Sequence, residues 1–177
     1  MSLIIPGLLG DDEVSHSKNT YGEMCDMSYA IDNGFIRLSN TLYVMSKTGL
    51  LLCGHGSTKP YNKELITKTA ALISENHPQY IVKCGFMEFN EPDIRTSLQE
   101  FESEDISSLA VVPLFLARGV HIDEDIPEIL GFTSGQKKGT FKKGNTEIPM
   151  VYADPIGENP LLADLMVSSA ERALTRI

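Results

Sequence analysis

Three side chains in this sequence have the types and settings that suit acid–base or metal chemistry: His55, Glu88 and His121. His55 stands between Gly54 and Gly56, and glycines there let the backbone turn sharply and leave the imidazole exposed. Glu88 lies between Met87 and Phe89, where an acid usually has a partner or a task. His121 opens a stretch predicted to be helical, and a helix start favours the neutral imidazole, which can ligate a metal or accept a proton. Each also has a plain structural reading. A lone exposed histidine needs no job, Glu91 before Pro92 reads as a helix cap, and Asp123-Glu124-Asp125 complement a helix dipole. Of those three acids only Glu124, three residues from His121, is expected to share its face. Other motifs fail: Lys59 stands where a dinucleotide-binding loop needs its third glycine, and Ser57 is not framed as a nucleophile elbow.

The elements that must carry these residues alternate regularly. Leu50–Cys53 reads as a short buried strand, followed by the turn 54–59 and an amphipathic helix over 63–75 with Leu65, Ile66, Ala70, Leu72 and Ile73 near helical spacing. Tyr80–Phe86 is a second strand and 87–92 its exit. A helix from about Pro92 to Glu102 follows, with Ile94, Leu98 and Phe101 inward. Leu109–Val112 is a third buried strand; it meets Pro113, where pairing should end or bulge, then crosses Ala117-Arg118-Gly119 into a helix running to about Leu130. Residues 132–147 read as loop by composition, which puts the Lys137-Lys138 and Lys142-Lys143 cluster on the side of the sheet away from the site. Pro149–Ala153 is a fourth strand, and Pro160–Arg176 a last helix with Leu161, Leu162, Leu165, Met166 and Ala170 inward.

This alternation predicts an α/β three-layer sandwich around a flavodoxin-like, mainly parallel, four-stranded sheet of order 2-1-3-4. His55, Glu88 and His121 each then follow a strand at the sheet's carboxyl edge, where open α/β proteins bind ligands. The chain has four histidines, and two of them fall at that edge. Two imidazoles and a carboxylate on one cleft suit a first-row divalent ion such as cobalt, nickel, iron or zinc.

Composition narrows the partners. The formal net charge of −9 disfavours nucleic acid, and any polyanionic ligand needs local donors. No apolar run approaches the ~20 residues of a membrane span, and the start Met-Ser-Leu-Ile-Ile-Pro lacks the basic region of a signal peptide. The three cysteines form no C-x-x-C pair, which points to reduced thiols in a cytoplasm. Residues 1–46 differ from the rest: polar, irregular, with Asp11-Asp12-Glu13, and with Asn33-Gly34 between apolar pairs as a tight-hairpin signal. They read as an N-terminal extension, an arm or small hairpin, before one α/β domain over 47–177.

Gly54-His-Gly-Ser57, Gly85-Phe-Met-Glu-Phe-Asn-Glu-Pro92, Val112–Pro127 and Ala153-Asp-Pro-Ile-Gly157 together resemble the short-form sirohydrochlorin chelatases of the CbiX type, the archaeal cobalt- or nickel-inserting members most of all. The resemblance runs from about Thr48 to the C-terminus. It implies a cytoplasmic, ATP-independent class II chelatase (a lyase of cobalamin or nickel-tetrapyrrole biosynthesis), acting as a homodimer with no cofactor beyond the substrate metal, Co2+ or Ni2+. Sirohydrochlorin, a tetrapyrrole with eight carboxylates, would be the other substrate. By that analogy His55 is proton acceptor and metal ligand, and His121 the second ligand. Glu88 or Glu91 faces substrate or incoming metal, and the turn Leu116, Ala117, Arg118, Gly119, Val120 and His121 holds the macrocycle. Apolar Leu114, Phe115 and Leu116 would pack on the ring, and Arg118 would pair a carboxylate. The segment before Thr48 and the basic, glycine-rich 132–147 stretch depart from the family pattern. The reading from another class is a non-catalytic metal or tetrapyrrole carrier on the same scaffold.

Overall fold

The computed structural model describes residues 46–177 and, before them, only the backbone of five short strands. The chain divides into two compact units, Met1–Ser46 and Lys47–Ile177. In the first, β1 (Ser17–Lys18) pairs antiparallel with β2 (Met24–Cys25). A separate antiparallel sheet has the order β3 (Tyr29–Asp32), β4 (Phe35–Leu38), β5 (Thr41–Val44). Asp32 is paired with Phe35, while Asn33 and Gly34, which carry the hairpin signal, lie outside the described residues. The acidic stretch Asp11-Asp12-Glu13 lies outside the described residues.

The second unit opens with β6 (Lys47–Gly54), whose apolar run Leu50-Leu-Leu-Cys is buried along its later half. Helix α1 (Pro60–Asn76) starts on a proline, which fits a first turn whose backbone N–H has no helical partner. Then come β7 (Tyr80–Phe86), α2 (Ile94–Glu100) with a 3-10 turn at Phe101–Ser103, and β8 (Ile106–Pro113). A π-helical turn, His121–Asp125, leads directly into α3 (Ile126–Ile129). The chain ends with β9 (Lys138–Lys143), β10 (Thr146–Tyr152) and α4 (Pro160–Leu174).

The sheet order is β7-β6-β8-β10-β9. Its four parallel strands follow the predicted 2-1-3-4 arrangement, and β9 adds an antiparallel edge. That edge corrects the loop expected over 132–147. The strand Lys-Gly-Thr-Phe-Lys-Lys has the alternation of a half-exposed edge, with Phe141 buried and Lys138, Thr140 and Lys142 outward. Right-handed crossovers set the layers. The step from β6 to β7 runs one way along the sheet and the next two run the other, so α1 covers one face and α2 and α3 cover the opposite one. Two hydrophobic clusters result. The larger joins Leu51, Cys53, Leu109, Val111, Met150 and Tyr152 of the sheet to Ile94, Phe101, Ile122 and Ile126. The smaller joins Leu52 and Phe86 to Ile66 and Ala70 of α1. Fully burying each large aliphatic or aromatic side chain contributes about 1.5–3 kcal/mol.

Two further boundaries differ from expectation. Helix α2 is capped not by Glu91 but by Asp93, whose side chain accepts from the Thr96 backbone N–H at 2.6 Å. That bond holds the Asp93 carboxyl below the ordinary aspartate range. Helix α4 forms as predicted, yet none of its residues is buried; Leu161, Leu165 and Met166 are exposed rather than inward. Pro113 closes β8 as its chemistry requires: it is buried opposite Cys53, and the last ladder bond comes from the Leu114 N–H to the Cys53 carbonyl at 2.8 Å.

Candidate active site

The carboxyl edge of the sheet is assembled by backbone before any side chain reaches it. Both glycines flanking His55 are required for close approach. A Cβ on Gly54 would lie 1.9 Å from Cδ1 of Ile66, so that buried side chain of α1 would have to move aside. A Cβ on Gly56 would lie 1.8 Å from the Glu88 carbonyl oxygen, and its φ of +87° is a conformation L side chains rarely adopt. The β6 and β7 exits are laced together by Met87 N–H to the Gly54 carbonyl, 2.9 Å, and Glu88 N–H to the His55 carbonyl, 3.0 Å. Asn90 and Asn62 complete the frame, their side-chain oxygens accepting from the Ser57 and Gly56 N–H groups at 2.9 and 3.0 Å.

On this frame the two imidazoles meet. The rings of His55 and His121 have centroids 4.8 Å apart and stand edge to face, with Phe115 at 6.4 Å from each. His55 Nδ1 lies 3.0 Å from the Gly56 carbonyl, which can only accept, so Nδ1 carries the proton and Nε2 is left with a free lone pair. His121 Nδ1 lies 2.6 Å from Asp125 Oδ2, which fixes His121 in the same way. Both imidazoles are half-buried and keep access to solvent.

Asp125 is the residue sequence reasoning missed, in favour of Glu124. The segment is a π turn closed from the Ile126 N–H to the His121 carbonyl, and its wider winding brings the fourth residue on, rather than the third, above the histidine. Glu124 points outward, exposed. The usable signal was the His-x-x-x-Asp spacing.

The carboxylates expected after β7 are placed differently from the imidazoles. Glu88 reaches the site through its backbone, and its side chain is exposed. Glu91 Oε2 accepts from the Asp93 N–H at 3.2 Å, while its carbonyl accepts from Lys63 Nζ at 2.8 Å. Among the described residues no three histidine, cysteine or acidic side chains are gathered closely enough to hold a metal ion. The site is a pair of imidazoles with open coordination positions, beside an exposed apolar rim of Phe89, Leu116, Val120 and Ile156. The rim is backed by Ile156 N–H to the Phe115 carbonyl and Gly157 N–H to the Leu116 carbonyl, both 2.9 Å. Ala117 and Gly119 are exposed in the turn between, and a Cβ on Gly119 would meet nothing within 4 Å.

Arg118 is engaged rather than free, pairing with Asp123 at 3.3 Å and Asp154 at 3.0 Å. Lys137 joins the same cluster, 3.2 Å from Asp154 and 4.3 Å over the Tyr152 ring. Lys137 therefore lies on the site's side of the sheet, not the far side. The reason is the unforeseen antiparallel strand. Because β9 runs against β10, Lys138 pairs with Val151 near the carboxyl edge, while Lys142 and Lys143 pair with Glu147 and Thr146 at the other end. Beneath the site the Tyr152 hydroxyl donates to the Ile122 carbonyl at 3.0 Å, tying the π turn to β10. Burial pushes the Tyr152 phenol and the Cys53 thiol upward, so both stay protonated beneath the site.

The CbiX family model matches residues 49–173. The chain belongs to the CbiX family. A sirohydrochlorin cobaltochelatase of Methanococcoides burtonii is 44% identical over 124 residues, covering 70% of this chain and 95% of that one. Its counterpart from Methanosarcina barkeri is 41% identical over 128 residues, covering 72% and 98%. Among solved structures, a CbiX protein of Marinobacter aquaeolei aligns with a TM-score of 0.54 at 25% identity, covering 73% of this chain and 99% of its own. The family match takes in all of the imidazole pair, the turn and the apolar rim; it begins two residues inside β6 and leaves the Met1–Ser46 unit outside.

Proposed function

We propose that this CbiX-family chain is a metal chelatase that inserts a divalent ion, cobalt or nickel and also iron(II) by ligand type, into sirohydrochlorin without ATP. The observation that carries the reading is the pair of imidazoles, ring centroids 4.8 Å apart, beside an exposed apolar rim. The cobaltochelatase relatives support it with 41–44% identity over most of the chain.

Insertion replaces two pyrrole N–H protons by one divalent ion, so two protons leave for each metal that enters. As the ion passes from the histidines to the pyrrole nitrogens, the freed His55 Nε2 lone pair takes the displaced protons in turn and hands each to water. His55 and His121 together hold the incoming ion by two nitrogens. That is fewer than a closed structural cage and leaves positions open for the pyrrole nitrogens. The Gly56 carbonyl and Asp125 keep both lone pairs aimed outward by accepting from the opposite ring nitrogens. Leu116 and Val120 lie against the ring face, and Glu88 and Glu91 are at hand for the incoming metal. Arg118 and Lys137 neutralise substrate carboxylates by exchanging partners with Asp123 and Asp154. The active form is a homodimer, for which the resemblance of the sequence motifs argues.

The test is to mix the purified chain with sirohydrochlorin and each of Co2+, Ni2+ and Fe2+ and follow the absorption spectrum. Insertion well above the uncatalysed rate with at least one metal supports the reading. Tight binding of macrocycle and metal with no acceleration leaves the carrier in its place.

A further inference from the structure

Phe89 stands apart from the rest of the site's rim. Its φ is +61°, and it is the one non-glycine residue with a positive φ among the described residues; the other positive values belong to Gly56, Gly131, Gly135, Gly144 and Gly157. A bulky side chain in that conformation strains the backbone. The Asn90 N–H bonds back to the Glu88 carbonyl at 2.8 Å, closing a three-residue turn with Phe89 at its tip. Both ends of the turn are pinned to the β6 exit. The Glu88 N–H donates to the His55 carbonyl at 3.0 Å, and the Asn90 side-chain oxygen accepts from the Ser57 N–H at 2.9 Å. The turn therefore cannot relax without breaking the frame that carries His55. The ring gains little packing in exchange, since Phe89 is 63% exposed. Nothing in the folded chain offsets the strain, the pattern found where a residue is held ready for a ligand.

The sheet order narrows the ligand. Phe89 follows β7, His55 follows β6, and Leu116 and Val120 follow β8, in the spatial order β7-β6-β8. Neighbouring strands lie about 4.8 Å apart, so the β7 and β8 exits are about 10 Å apart with the β6 exit between them. Leu116 and Val120 are each 61% exposed, so exposed apolar side chains follow the strands on both sides of His55. That arrangement suits a broad, flat, apolar-faced molecule resting over the imidazoles. A bare ion gains nothing from it. We propose that Phe89 is a substrate-binding residue whose ring packs on the tetrapyrrole from the β7 side, opposite Leu116 and Val120. An aromatic side chain recognises the π-system itself, whereas Arg118 and Lys137 recognise carboxylates at its periphery. The inference deepens the chelatase reading and rests on it, adding a wall that neither the imidazoles nor the 116–121 turn supplies.

Because a positive φ favours glycine, Phe89→Gly separates the fold's interest from the ligand's. The variant is expected to raise the thermal midpoint by a few degrees. It is expected to weaken binding of metal-free sirohydrochlorin about tenfold, read from the macrocycle's own absorption on titration. With cobalt present, KM for the macrocycle rises by a similar factor and kcat changes little, as for a contact made equally in ground and transition states. Phe89→Tyr, which keeps the aromatic face, retains near-parental affinity. A Phe89→Gly chain that binds the macrocycle as tightly as the parent overturns the proposal and leaves the chelatase reading in place. A lowered midpoint overturns it as well, because the ring then serves the fold. A parent chain that binds through Phe89 yet inserts no metal keeps the contact and removes the chelatase reading. A parent chain that binds no macrocycle removes both.

Discussion

As a metal ligand His121 would need one nitrogen free and aimed, and Asp125, 2.6 Å from Nδ1, is the group placed to keep it so. Asp125→Ala is predicted to lower cobalt affinity about 10–100-fold by calorimetric titration, the usual loss when a ligand's supporting carboxylate goes. Asp125→Asn, whose amide oxygen still accepts from Nδ1, should retain more of it. An unchanged affinity in both variants would show that the carboxylate only completes the π turn. At the neighbouring position, Gly56→Ala forces a Cβ against the Glu88 carbonyl at a φ of +87°. It should cost more than about 1 kcal/mol and lower the thermal midpoint by several degrees. Wild-type stability would mean that the β7 exit yields freely. Both histidines were legible in the sequence because glycine framing and position after a strand announce them. Asp125 was not, because choosing between the third and fourth residue on needs the winding of the turn, and a π turn leaves no distinct composition.

At the scale of elements, the parallel strands were readable from apolar runs alone, since a strand buried on both faces has few alternatives. Strand β9 was not, since Lys-Gly-Thr-Phe-Lys-Lys is what an exposed edge and a basic loop have in common. The omission mattered for chemistry, because the direction of that strand decides which pair of lysines stands at the site. The start of α2 offers a test with a sign. The Thr96 N–H holds the Asp93 carboxyl below its ordinary value, so the folded chain binds that proton less readily than the unfolded one. The cap therefore contributes fully above the unfolded aspartate value of about 4, and is lost as pH falls through the lowered native one. Asp93→Ala is predicted to cost about 1 kcal/mol at neutral pH by denaturant melts. The difference from wild type should shrink below about pH 4. A difference that persists unchanged in acid would assign the loss to helix propensity instead of the charged cap.

Over the whole molecule, the Lys47–Ile177 unit by itself carries both hydrophobic clusters and both imidazoles. A chain beginning at Met45 is accordingly predicted to fold and to keep its insertion activity, checked by circular dichroism and the absorption assay. A folded but inactive truncation would give the first unit a part in the chemistry. The exposed stripe on α4 belongs to this scale as well. Periodicity predicted a helix with an apolar face turned inward; the helix forms, but Leu161, Leu165 and Met166 are exposed, because periodicity sets which residues share a face and not what covers it.

The central claim is that the His55 lone pair takes up the proton that metal entry displaces. Its most direct measurement is the rate of cobalt insertion into sirohydrochlorin by His55→Ala, with macrocycle binding to the same variant measured in parallel. The account predicts near-normal binding and a rate lowered by about 10²–10⁴-fold, the scale of a positioned proton acceptor. A His55→Ala chain that binds the macrocycle and inserts cobalt at the wild-type rate would contradict it.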